Sequence, residues 1–222
     1  MSFIDTSYFI NDISVPVNQY QEADLIQYIT RWENEILKRL LGYTLWKALI
    51  ADLDGGNPQT PRFTYLVNGT EFSFEYDGHT INTKWEGLRN TQLVSLIAYW
   101  VYFNLRNEKE SFYTGIGQRR GKGENSVMAD PVPKLVSAWN KMIDLYGYTP
   151  KYYYPYNNST IFNARLASRN FKVYLDKEYF LDQSNYEHYT TDPSAYNFLL
   201  ANINDYPEWV FDPIRKFNVF GM

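Results

Sequence analysis

The sequence predicts a mainly α fold: a bundle of about four helices, a small three-stranded antiparallel β insertion at about residues 62–83, and an extended aromatic segment at the C-terminal end. Three observations carry that prediction. Apolar residues recur at steps of three and four in separate stretches before Gly147, the spacing turns to two between Arg62 and Asn82, and beyond Gly147 neither period persists. The domain organisation this implies is a helical core over 1–147 and a tyrosine-rich extension over 148–222 that carries one short helix.

In "ADLIQYITRWENEILKRLLG", Leu25, Ile29, Trp32, Ile36 and Leu40 line one helical face; Asn18 and Gln21 offer caps at its start and Gly42 a stop. Thr44 is then placed to cap a short helix carrying Leu45, Trp46, Leu49 and Ile50, before "DGGNP" breaks the chain. In the β insertion Phe72, Phe74 and Tyr76 share a face, with turn signals "NG" at Asn68 and "DG" at Asp77. Thr83 and Glu86 form a capping box for a long helix with the stripe Trp85, Leu88, Leu93, Leu96, Trp100 and Phe103, expected to end near Arg106 and to be the most buried. Asp130 and Pro131 start the last core helix; Leu135, Trp139, Met142 and Tyr146 are its buried face and Gly147 its stop. One more short helix is expected in "DPSAYNFLLANIN". The tail "DYPEWVFDPIRKFNVFGM" is apolar enough that it has to dock, on its own core or across a neighbouring subunit. Tyr206, Trp209, Phe211, Phe217 and Phe220 are the candidate docking residues.

Composition narrows the chemistry. A formal net charge of −4 lacks the basic excess of a protein that grips DNA over much of its surface, so any DNA contact must be local. With no cysteine and two histidines, disulfides, thiolate zinc sites and cysteine nucleophiles are excluded, and no catalytic, cofactor or metal site is assigned. No apolar run approaches the ~20 residues of a membrane helix, and the opening "MSFIDTSYFINDISV" lacks the pattern of a secretory signal, so a cytoplasmic chain with no membrane partner is expected. Aromatic residues make up 18% of the chain, with 21 tyrosines. Such side chains suit surfaces that are wet before assembly and buried after it, and equally suit carbohydrate platforms.

Between the two long apolar segments lies "TGIGQRRGKGENS". Its GxGxxxG spacing misses the dinucleotide fingerprint, no strand precedes it, and the "GK" at Gly121 is followed by glycine where a phosphate-binding loop has serine or threonine. The region 107–129 therefore reads as a partner-ordered loop whose Arg119, Arg120 and Lys122 are candidates for contact with channel DNA or an acidic partner. Carboxylates such as Glu33 with Glu35, Glu108 with Glu110, and Glu71, Glu75 and Asp77 supply the parts of a glycosidase acid pair, although most are expected to be solvated charges. His79 reads as a turn residue and His188 has no evident partner. Stacking tyrosines also suit a single-strand nucleic-acid binder, a reading the acidic balance disfavours.

The order of "DLIQYITRWENEILKRLLGYTLWKAL", "FTYLVNGTEFSFEYDGHTINTKWEGLRNTQLVSLIAYWVYF" and "NSVMADPVPKLVSAWNKMIDLYG", over about residues 12–147, resembles the head-tail connector (adaptor, head-completion) proteins of tailed bacteriophages, in the version found in phages of Bacteroides-type bacteria, crAss-like phages included. That resemblance implies a small helical bundle that assembles as a ring, with twelve copies expected, beneath the portal protein at the portal vertex. It further implies a virion protein assembled in the host bacterial cytoplasm, touching neighbouring tail or ring proteins and non-specifically the packaged double-stranded DNA. None of the matching stretches is a catalytic signature, and no enzyme activity is expected. The rival expectation from composition is a carbohydrate-binding or carbohydrate-active protein.

Overall fold

The apolar stripe of the first helix folds as expected and then turns a corner. Helix α1 (Glu22–Asp52) carries Glu22 and Asp24 in its first turn, where carboxylates complement the unpaired amides, and buries Leu25, Ile29, Ile36 and Leu40 along one side. At Gly42 the backbone takes φ 75° and ψ 159°, and the helix divides into two limbs, the second with Leu45 and Leu49 inward. The break lies where the spacing predicts it, and Thr44 lies within the second limb. The computed structural model describes residues 2–15, 22–76, 79–109, 112–114, 117–119, 132–147, 194–212 and 214; the expected caps Asn18 and Gln21 lie outside them.

After α1 a tight antiparallel pair, β1 (Leu53–Asp54) and β2 (Asn57–Pro58), reverses the chain at the "DGGNP" signal. The Asp52 carboxylate then accepts the amides of Gln59 (2.8 Å) and Thr60 (3.0 Å), organising the entry to the next element. That element is a helix, α2 (Pro61–Asn68), so the expected three-stranded meander is corrected to a helix followed by a two-stranded hairpin. Pro61 sits in the first turn, where its missing N–H costs nothing, and Phe63, Leu66 and Val67 are buried at helical spacing. The "NG" at Asn68 is the end of this helix: Gly69, at φ 86°, returns its N–H to the Tyr65 carbonyl. Strands β3 (Thr70–Tyr76) and β4 (His79–Trp85) pair antiparallel from Thr70 opposite Trp85 to Tyr76 opposite His79, a register that agrees with the "DG" signal.

Helix α3 (Leu96–Lys109) begins well after the expected capping box. Thr83 belongs to β4, opposite Phe72, and Glu86 pairs with Lys84 at 3.0 Å. The true start signal is Ser95, whose hydroxyl oxygen accepts the Ile97 amide (3.2 Å) while donating to the Leu88 carbonyl (2.6 Å). Every residue from Leu96 to Tyr102 is buried, as a helix surrounded on all sides requires, and α3 packs against both α1 and α4. Past α3, the stretch expected to be one long loop holds the last turn of that helix and a small hairpin, β5 (Phe112–Thr114) with β6 (Gly117–Arg119). Helix α4 (Val132–Tyr146) buries Trp139, Met142 and Tyr146 with Leu135 half-buried, as its pattern predicts. Its expected start signal, Asp130 and Pro131, lies outside the described residues.

The chain re-enters at Ser194, which caps the short helix α5 (Ala195–Ala201) by accepting the Asn197 amide. Gly147 and Ser194 touch: a Cβ on Gly147 would overlap the Ser194 side chain. Two 3-10 turns, Thr6–Tyr8 and Asn11–Ile13, complete the core from the N-terminal side with Phe3, Ile4, Tyr8, Phe9 and Ile13 buried. The fold is mainly helical with small antiparallel sheets. No helix among the described residues is long and apolar enough to cross a membrane.

Candidate interaction surface at the kink of the first helix

A helix that stops leaves its last carbonyls without donors. At Gly42 those carbonyls belong to Arg39, Leu40 and Leu41, and the C-terminal segment supplies all three. The Trp209 indole N–H donates to the Leu40 oxygen (2.7 Å), and the Val210 and Asp212 amides donate to the oxygens of Leu41 (3.2 Å) and Arg39 (2.9 Å). Approach this close requires glycine, since a Cβ at position 42 would stand 2.8 Å from both the Val210 Cβ and its carbonyl oxygen.

The segment is fastened along its length. Tyr206 donates its hydroxyl to the Arg62 carbonyl (2.5 Å), and the Arg62 guanidinium reaches the Asp205 carbonyl (3.0 Å) and the Glu208 carboxylate (3.3 Å). Tyr146 donates to the Asp212 carbonyl (2.6 Å). Burial raises the pKa of both tyrosines well above the usual value, so both remain neutral donors. Rings complete the joint: Phe211 lies 4.9 Å from Tyr146 and 4.6 Å from Tyr196, and Phe198 stacks on Trp85 at 5.8 Å. Tyr206, Trp209 and Phe211 are thus taken up by their own chain, the first of the two placements the sequence left open. Tyr206 and Trp209 are buried and have no free face for a neighbouring subunit. Phe217 and Phe220 lie outside the described residues.

What the joint leaves uncovered is apolar. Tyr43 is 65% exposed, Val210 63% and Ile50 39%, beside the half-buried Trp46. The Tyr43 and Trp46 rings lie 5.8 Å apart, and the Lys38 ammonium sits 4.3 Å from the Trp46 ring centre, a cation on an aromatic face. The sequence does hold a signal for this surface. Leu45 with Leu49 and Trp46 with Ile50 form two adjacent rows at steps of four, and the fold buries only the first.

Among the described residues the other sequence candidates do not converge. Arg119 lies in β6 with its backbone opposite Phe112, while Arg120 and Lys122 lie outside the described residues. Glu35 pairs with Arg39 (3.5 Å) and Glu108 with Arg31 (3.6 Å), both at the surface. Glu33 is buried: its carboxylate accepts the Phe3 amide at 3.0 and 3.2 Å and the Ser2 hydroxyl at 2.5 Å, tying the N-terminal segment to α1. Desolvation outweighs those hydrogen bonds and pushes its pKa up to about 7. An open groove of about 370 Å³ is lined by Tyr8, Lys84, Glu86, Arg89, Asn90 and neighbouring residues. A second, of about 540 Å³, runs along the hairpin beside Glu71, Phe72, Asn82 and Lys84. Among the described residues each holds a single carboxylate, and neither presents an acid pair. Arg89 serves the fold, donating to Asn68 Oδ1 (2.7 Å) and Asn57 Oδ1 (2.9 Å). Among the described residues no group of three or more metal-ligating side chains converges. Comparison with known proteins returns no match to this chain from family models, curated proteins or solved structures.

Proposed function

We infer that the chain is a structural virion protein, a ring-forming head-tail connector subunit that docks under the portal, extends the DNA channel and offers an attachment face to the tail. The reading rests on the resemblance of the three stretches quoted above, and one structural observation supports it most. With Tyr206, Trp209 and Phe211 taken up in the subunit's own core, Tyr43 and Ile50 on the second limb of α1 and Val210 beside it are still exposed, next to the half-buried Trp46. Scattered exposed apolar residues need no explanation; several near one short limb, with the Tyr43–Trp46 ring pair among them, suit an interface that assembly covers. The acidic overall charge agrees with a lumen that lets DNA pass without gripping it. Electron microscopy of the purified full-length chain tests the proposal: it predicts rings, twelvefold by the resemblance, and the same chain in purified phage particles. Isolated single subunits that bind an oligosaccharide column would replace it with the carbohydrate reading.

A further inference from the structure

Tyr99 and Trp100 are consecutive on α3 and so look toward different sides of it, about 100° apart. The Tyr99 side is closed by the N-terminal segment: the Tyr99 hydroxyl donates to the Asp12 carboxylate (2.9 Å), and the turn Asn11–Ile13 touches both α3 and α4. On the Trp100 side the ring lies 6.4 Å from Trp32 of α1 and 5.5 Å from Trp139 of α4, which also meets Phe103 at 4.5 Å. These rings floor a groove between α1 and α4 in which Trp32 and Phe103 are still half-buried. The indole N–H groups of Trp32 and Trp100 are buried there and have no acceptor among the described residues. Leaving such a donor unpaired costs about 1–3 kcal/mol, so the groove calls for an occupant that brings carbonyl oxygens as well as apolar side chains.

The C-terminal segment leads into this groove. Val210 meets Leu41 and Asp212 meets Arg39, so the segment runs from the kink back along the first limb of α1. Arg39 ties Asp212 to the groove floor: its guanidinium lies 3.7 Å from the Asp212 carboxylate and 5.6 Å from the Trp100 ring centre. On the opposite wall Tyr146 holds the Asp212 carbonyl. Trp139 stands two turns back along α4 from Tyr146, as Trp32 stands two turns back along α1 from Arg39. Ile214 is buried, and "RKFNVFGM", residues 215–222, follows it. Extended chain at about 3.3 Å per residue covers about 16 Å from Asp212 to Phe217, while Trp32 is about 10 Å from Arg39 along the helix, so Phe217 is within reach of the ring cluster.

We propose that residues 215–222 lie extended in the groove between the first limb of α1 and α4, with Phe217 against Trp32 and Trp139 and with main-chain carbonyls accepting the Trp32 and Trp100 indole N–H groups. The contact mirrors the joint at Gly42, where a tail indole donates to a carbonyl of α1, and it does not depend on the ring reading. With photo-reactive benzoylphenylalanine in place of Phe217 in the full-length chain, the expected crosslink stays within one chain and maps to residues 28–39, 96–103 or 132–146. Mixing isotope-labelled with unlabelled chains tells copies apart. Phe217→Ser with Phe220→Ser is expected to speed hydrogen exchange of the Trp32 and Trp100 indoles at least about tenfold. Exchange of the Trp85 indole, bonded to the Leu66 carbonyl (2.9 Å), is expected to stay as in the parent. Should the double variant unfold, the crosslink decides alone. A crosslink between copies would seat another chain's tail in the groove and overturn the assignment. A crosslink to any other part of the same chain, or none, overturns it as well, and so does Trp32 and Trp100 exchange left unchanged by the double substitution.

Discussion

Gly42 and Glu33 illustrate two residue-level conflicts that the fold resolves differently. At Gly42 a positive φ and the close approach of Val210 both exclude a side chain, so Gly42→Ala is expected to cost about 1–3 kcal/mol in urea denaturation and to loosen the C-terminal segment. A variant as stable as the parent would contradict the carbonyl-capping account. Glu33 is a carboxyl buried for the sake of its hydrogen bonds, and its pKa of about 7 lies above the ordinary 4.5. Between those values the folded chain holds a proton that the unfolded chain has lost. Its contribution is therefore fully present below pH 4.5 and disappears as pH rises through 7. Glu33→Gln is expected to flatten that part of the stability–pH curve and to be the more stable protein above pH 8 by about 1–3 kcal/mol; parallel curves for the two proteins would contradict it. The glycine was legible because a stop after a periodic stripe is a local signal. The glutamate was not, because nothing in "RWENEI" distinguishes the one acid that a distant N-terminal segment covers from the one beside it that pairs with Arg39.

Among the elements, the C-terminal return carries the largest single consequence. Trp209 is buried, donates into the broken helix and lies 5.3 Å from Tyr196, so Trp209→Ala removes both a cap and a large core side chain. A loss of about 3–5 kcal/mol is expected by denaturation; a loss below about 1 kcal/mol would mean that the segment rests on the surface without securing α1. Helices α1, α3 and α4 were legible from their stripes, and the hairpin from its "DG" signal. Helix α2 was misread because it is short and its "NG" end uses the same dipeptide as a hairpin turn, the difference being made by Pro61 and by Phe63, Leu66 and Val67 at helical spacing. The start of α3 was placed too early because Trp85, Leu88 and Leu93 are spaced like a helix. The structure puts them in a strand and in a loop held by the Asn90 side chain and Ser95.

For the molecule as a whole, the contact between Gly147 and Ser194 brings together the two ends of the described core that flank residues 148–193. Replacing residues 149–192 by a short glycine-serine linker is accordingly expected to leave the melting temperature within a few degrees of the parent, on the order of 1 kcal/mol. A chain that no longer folds would place part of the core in that segment. Function at the level of the whole molecule was the least legible in the sequence, because none of its stretches carries a catalytic signature and exposed apolar surface leaves no motif. The structure exposes Tyr43, Ile50 and Val210 on and beside the limb beyond Gly42, at the joint where the tail segment carrying Trp209 docks. The most direct test is the mass of the full-length chain in solution, by sedimentation velocity over a wide concentration range. The account predicts one discrete species many times the mass of a single 26.3 kDa chain, dissolved by Tyr43→Asp; a lone chain at the highest concentration reached would contradict it.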